Sequence, residues 1–198
     1  VSRTLTLTFD DGPEPVWSSR VVDELQRRDA RATFFLVGER VRETPEQARE
    51  IVASGNEVQL HCHRHVRHSD LSETEIEQDT CEALSALAAV GVRPTHWRTP
   101  WGVQTADTLR VARRHRLRLV HWTIDTHDWR GDTAQEMLTR ARSQLETGGV
   151  VLMHDGLGPG SRRDTCENTV QLIGPLVDAV RSEGLVVGPL PGGIGESG

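Results

Sequence analysis

Short β-favouring runs alternate with amphipathic helical segments along the whole 198-residue chain. That alternation is the strongest constraint on its fold. TLTLTF (4–9) alternates in the manner of a strand and ends at Asp10. ATFFLVG (32–38) is a continuous apolar run, the mark of a strand buried on both faces. EVQL, THWR, LRLVHWTID, VVLMHD and LVVG supply further strands. Between them lie WSSRVVDELQRRD, PEQAREIVASG, SETEIEQDTCEALSALAAVG, TADTLRVARRHR, TAQEMLTRARSQLETGG and DTCENTVQLIGPLVDAVRSEG, each with helical spacing. Ser72 with Glu75 three residues on predicts a capping box. Pro175 predicts a kink or break in the last helix. With no linker and no repeat, the pattern predicts an α/β fold around a parallel sheet or barrel. One domain over residues 1–190 is expected, with a flexible Gly-rich tail over 191–198.

Composition narrows the function. Net charge is −6, which gives no general attraction to nucleic acid or to an anionic membrane. No apolar run is long enough to span a bilayer. All 23 basic side chains are arginine, so chemistry that needs a lysine, Schiff bases included, is excluded. Cys62, Cys81 and Cys166 have no CxxC spacing, which argues against a Cys-rich zinc site and leaves room for at most one disulfide. The chain opens on a strand-like run, so no signal peptide is read in it. The location stays open, secreted if a leader has been removed and cytoplasmic otherwise.

Chemistry-bearing residues gather where the expected strands end. TFDDGP (8–13) sets Asp10 beside Asp11, either as a polar turn or as two acids with different tasks. HCHRH (61–65) places His61 and His65 four apart, on one face if the segment makes a helical turn, with His63 between them and His68 beyond. Such a cluster reads equally as a metal site needing a third, carboxylate ligand or as a solvated basic loop. His63 and His68 are expected to face outward or to support the ligands. RTPWG (98–102) offers Arg98 to a carboxylate and a turn that aims a backbone N–H. DTHDW (125–129) ends in Trp129, a core residue or the wall of a sugar groove. VVLMHD ends in His154, a structural histidine or a general acid.

In this order, TFDDGP, HCHRH, RTPWG, DTHDW and LMHD resemble the polysaccharide deacetylases of carbohydrate esterase family four, the nodulation-type deacetylase homology domain. The resemblance spans positions 8–155. It implies a distorted (β/α) barrel of about seven parallel strands and a metal-dependent deacetylase acting on chitin, peptidoglycan, acetylxylan or a small amino sugar. It implies Asp10 as the base that takes a proton from water, braced by Arg98. Asp11, His61 and His65 then hold one divalent ion, zinc first, with cobalt or nickel as substitutes. His154 becomes the acid, tuned by Asp128. The backbone N–H of Trp101 meets the oxyanion, and Leu152 and Trp129 line the acetyl pocket. The expected partner is an acetylated carbohydrate, and the expected state is a monomer.

The second motif departs from the family pattern. Cys62 replaces a hydroxyl residue, a soft donor in type but adjacent to His61, and two adjacent residues rarely point at one ion; Val66 stands where proline is usual. HSDL (68–71) resembles the motif's usual ending shifted by three residues. Aligning on it would put Arg64 at a ligand position, which a guanidinium cannot fill. His68 is therefore the reserve ligand. Three rival readings belong to other classes. A haloacid dehalogenase-type phosphatase needs Asp-x-Asp-Gly and a lysine. A structural zinc site needs four protein ligands. A non-catalytic carbohydrate-binding barrel has no use for the base and the acid.

Overall fold

The computed structural model describes residues 4–145 and 149–190. The expected tail over 191–198 lies outside the described residues. Eight strands form one curled sheet in which every pairing is parallel. They are β1 (Thr4–Asp10), β2 (Thr33–Val37), β3 (Glu57–Cys62), β4 (His96–Trp97), β5 (Arg118–Leu119), β6 (Ile124–Asp125), β7 (Gly149–His154) and β8 (Val186–Val187). The order is β5-β4-β3-β2-β1-β7-β6, and β8 pairs with the start of β1. The helices are α1 (Trp17–Arg27), α2 (Gly38–Glu43), α3 (Pro45–Ala53), α4 (Glu73–Ala89), α5 (Ala106–Arg114), α6 (Ala134–Arg142) and α7 (Glu167–Ser182). This is the parallel α/β sheet that the alternation predicts and the distorted barrel that the family resemblance implies, with one more short strand. Among the described residues, no helix is long and apolar enough to cross a membrane.

Strand alternation sorts each strand into two faces. Leu5, Leu7 and Phe9 of β1 join Phe34 and Leu36 of β2, Leu60 of β3, and Val151 and Met153 of β7 in the core against the helices. Each such side chain contributes about 1.5–3 kcal/mol by burial. The intervening residues, Thr6, Thr8 and Asp10 on β1, His61 on β3 and Leu152 and His154 on β7, occupy the other face. Asp10, His61 and His154 among them lie at the C-terminal strand ends, where α/β barrels carry their sites. In the β1–β7 register, Asp10 is the Cα partner of His154.

Three local expectations change. LRLVHWTID is not one strand. Its start pairs with β4 and its end with β7, while residues 120–123 cross between the two open edges of the sheet. The Val120 N–H donates to Trp97 O, and the Thr123 N–H to Val150 O. β-propensity alone could not show that one apolar run serves two edges. Pro175 does not break α7, which runs through it to Ser182, because packing of its buried face outweighs the lost hydrogen bond. All three cysteines are free. The Ser72–Glu75 capping box of α4 is present.

Candidate active site

β1 ends in two acids whose backbones diverge. Asp10 is still in the strand, whereas Asp11 turns into the left-handed region at φ 75°. That conformation costs a non-glycine residue on the order of 1–3 kcal/mol and persists only where its surroundings enforce it. Here they do. The Asp155 N–H donates to Asp10 O at 3.2 Å, and the Gly12 N–H donates to Asp155 Oδ1 at 3.1 Å. Arg40 Nη1 donates to Asp11 O at 2.7 Å, and its Nη2 to Leu157 O at 2.7 Å. The twist sends the two carboxylates to different partners.

Asp10 meets Arg98. This arginine is fully buried and donates from Nη1 to Asp10 Oδ1 at 2.8 Å and to Thr8 Oγ1 at 2.7 Å. Nη2 reaches His121 O at 3.2 Å, and the guanidinium lies 4.2 Å from the centroid of the Phe35 ring. A guanidinium does not titrate in this setting, so its positive charge beside Asp10 is permanent.

Asp11 meets His61 and His65. Its Oδ1 lies 3.3 Å from His61 Nε2 and 3.2 Å from His65 Nε2. His61 Nδ1 is 2.6 Å from Arg98 O. A carbonyl only accepts, so Nδ1 carries a proton, and Nε2 is the atom that faces the cluster. Burial alone would raise the Asp11 carboxyl. The two imidazoles, with the charge of His154, hold it well below the usual range. Asp11 Oδ1 is buried without a hydrogen-bond partner of proper geometry. Two ring nitrogens and an unsatisfied carboxylate oxygen converging in this way fit a divalent cation with open positions.

The expected pair His61 and His65 does converge on Asp11, but not as a helical turn. His61 is the penultimate residue of β3, and His65 follows in the loop. His63 and His68 do not face outward. His63 is buried with Nε2 3.1 Å from Glu82 Oε2, and His68 is buried with Nδ1 2.9 Å from Thr108 Oγ1 and its ring against Trp97. Burial takes the His68 pKa down to about 4. Neither lines the cavity. Cys62, one residue past His61 on the strand, takes the opposite face.

His154 is held by Asp128. Nδ1 lies 2.7 Å from Asp128 Oδ1, and the backbone N–H of His154 donates to Oδ2 at 2.8 Å. Oδ2 also accepts from Thr169 Oγ1 at 2.8 Å and sits 3.1 Å from Arg163 Nη1. Burial alone would lower the His154 pKa. The Asp128 charge and hydrogen bond override it, Asp11 and Asp10 add to them, and the pKa rises to about 9. Burial would raise Asp128, but His154 and then Arg163 bring it to about 2. This pair is an imidazolium–carboxylate at neutral pH.

Asp10, Asp11, His61, His65, Trp101, Trp129, Leu152 and His154 all line one cavity of about 360 Å³. Arg98 and Asp128 stand behind it. Trp101 has φ 53° and sets its ring 4.2 Å from that of His65, centroid to centroid. Sequence reasoning placed Asp125 and Asp155 at strand ends without a task, and it missed Trp122 and the 158–162 loop, which line the cavity with Asp125, together with Arg40 and Arg163. Gly158 is pressed so closely on the site that a Cβ there would lie 2.0 Å from Asp11 Oδ2. The available signal was position. Arg40 follows β2 and GLGPGSRR follows β7, both at C-terminal strand ends.

With this geometry in place, comparison with known proteins is informative. The family model described as polysaccharide deacetylase matches residues 2–120. The chitooligosaccharide deacetylase of Bradyrhizobium sp. (strain ANU 289) is 34% identical, over 96% of this chain and 90% of the relative. A peptidoglycan-N-acetylglucosamine deacetylase of Bacillus cereus is 28% identical, over 94% of this chain and 66% of the relative. The solved structure of a family 4 carbohydrate esterase from Streptomyces lividans in complex with acetate superposes with a TM-score of 0.84 at 27% identity, covering 94% of this chain and 92% of that one. The chain belongs to the polysaccharide deacetylase family.

Proposed function

We propose that this protein is a metal-dependent hydrolase that removes acetyl groups from N-acetylated sugars, releasing acetate and a free amine. The observation that carries this is the placement of Asp10 and His154, each with its own counter-charge, around one cavity shared with the Asp11–His61–His65 cluster. The names of the relatives, which act on chitooligosaccharides and peptidoglycan, support the same class.

Asp11, His61 and His65 would hold one divalent ion, zinc by its donor set of two imidazoles and a carboxylate, with cobalt or nickel as substitutes. Bound there, the ion supplies a Lewis acid for the acetyl carbonyl and the attacking water. Asp10 takes a proton from that water, and Arg98 keeps its carboxylate oriented toward the cavity. The Trp101 N–H donates to the oxyanion that develops on the acetyl oxygen. His154, with Nδ1 occupied by Asp128, has Nε2 left to protonate the departing nitrogen as the C–N bond breaks. Leu152 and Trp129 flank the acetyl methyl. Acetyl esters would pass through the same groups, with an alcohol leaving in place of the amine.

The test is acetate release from a panel of chitooligosaccharides, peptidoglycan fragments, acetylxylan and small N-acetyl sugars, before and after chelation and zinc reloading. At least one acetylated sugar should be turned over only by the reloaded protein. His61→Ala should lose the ion and the activity together, on the order of 10³-fold or more in kcat/KM. A reloaded wild-type protein that binds these glycans without releasing acetate would instead identify a non-catalytic carbohydrate-binding barrel.

A further inference from the structure

α4 and α5 carry a second convergence of ligating atoms, on the outside of the barrel. Glu77 and Cys81 are four residues apart on α4 and share a face. His115 is the residue that ends α5. Glu77 Oε1 is 2.6 Å from His115 Nε2. Cys81 Sγ is 3.7 Å from Glu77 Oε1 and 3.9 Å from His115 Nε2. None of the three lines the cavity. Cys81 is exposed, so water can reach the cluster.

We propose that Glu77, Cys81 and His115 form a second cation site that takes one borderline-soft divalent ion of the zinc class and staples α4 to α5. The donor set points to that class, because thiolate and imidazole select zinc over magnesium or calcium. The geometry is close to what it requires. Tetrahedral zinc with bonds of about 2.0–2.3 Å separates its ligands by roughly 3.3–3.8 Å. The Sγ–Oε1 distance of 3.7 Å falls in that range, the Sγ–Nε2 distance of 3.9 Å lies just beyond it, and the Glu77–His115 pair at 2.6 Å has to open by less than about 1 Å. Glu77 Oε2 is occupied by Arg114, which also donates to Glu73. That leaves Oε1 for the ion and fixes the carboxylate from behind, as supporting hydrogen bonds do at metal sites. The fourth position is water. Burial and the neighbouring Glu77 hold the Cys81 thiol above its ordinary range, so binding expels a proton and strengthens as pH rises. An ion bound only by the folded state stabilises it by mass action.

The two sites can be told apart because the cavity cluster contains no sulfur. Cobalt(II) is the probe. The wild-type chain should bind two cobalt ions and show thiolate-to-cobalt charge-transfer absorption in the near ultraviolet. Cys81→Ser should bind one ion and lose that absorption, while the rate in the cavity stays unchanged. His115→Ala should weaken the sulfur-bearing site at least tenfold. Zinc should raise the melting temperature of wild type more than that of Cys81→Ser. A single ion in wild type, or charge-transfer absorption that survives Cys81→Ser and so belongs to Cys62, would overturn the proposal.

Discussion

Asp10 and His154 face each other across the β1–β7 register, and each sits in a buried ion pair. The pairs are built alike but inverted. In one, the cation is Arg98, which cannot give up its proton, so the group free to exchange one is the Asp10 carboxylate. In the other, the carboxylate is Asp128, held near 2 by His154 and Arg163, so the group free to exchange is the imidazole of His154. In the proposed mechanism a buried carboxylate–cation pair thus presents its carboxylate as the base or its cation as the acid, depending on which partner lines the cavity. Asp128 and Arg98 are both exposed by 1% or less, so water does not reach the partner that stands behind the cavity in either pair.

The largest expected effect breaks the Asp10 side. Asp10→Asn should keep one ion in the cavity cluster yet lose on the order of 10²–10⁴ in kcat on every substrate, because only the base is removed. Metal analysis beside the rate measurement checks this. Loss of the ion along with the rate would place Asp10 among the ligands.

Breaking the His154 side should discriminate between leaving groups. An amine must be protonated as it departs, whereas an activated phenolate leaves unaided. His154→Ala should therefore lose roughly 10²-fold or more on an N-acetylglucosamine oligomer and little on an aryl acetate. Equal losses would assign His154 a structural or oxyanion role. Asp128→Asn sharpens the same side. The His154 pKa is raised from 6.5 to about 9 in the folded chain. The pair's contribution to stability is therefore full below about 6.5 and is lost as pH rises through about 9. Removing the Asp128 charge leaves burial to dominate, so the imidazole should titrate far lower. An NMR titration of His154 in the metal-free protein, wild type against Asp128→Asn, reads this directly.

The smallest effect concerns what both sides share, the turn that separates Asp10 from Asp11. Arg40→Ala frees the Asp11 carbonyl and the Leu157 carbonyl and should weaken cobalt affinity roughly tenfold, measured by spectroscopic titration. Arg40→Lys should restore part of that loss. Unchanged affinity would mean that Asp155 alone holds the turn.

Much of this was legible in the chain. T-L-T-L-T-F-D alternates because a strand shows opposite faces to core and cavity, and the same period carries Asp10 to the inside. The capping-box residues of α4 were equally plain, since a cap is a contact between residues three apart. The strand-end clustering of Asp10, His61, Arg98 and His154 was readable because parallel strands all finish at one end.

The rest depended on contacts between distant segments. Four histidines in eight residues are indistinguishable in composition, yet His61 and His65 meet Asp11 while His63 and His68 turn into the helical shell. The choice follows from strand pairing and from Asp79, which accepts the backbone N–H groups of His63 and Arg64 and so sets the loop's course. The split of LRLVHWTID between two sheet edges, and the grip of Arg40 and Asp155 on the acidic turn, were likewise decided only on folding. Periodicity and capping are local, and the sequence by itself determines them. Which buried charge meets which counter-charge is set by the packing of distant elements, as with Arg98 and Asp10, 88 residues apart, and the tertiary structure alone decides it.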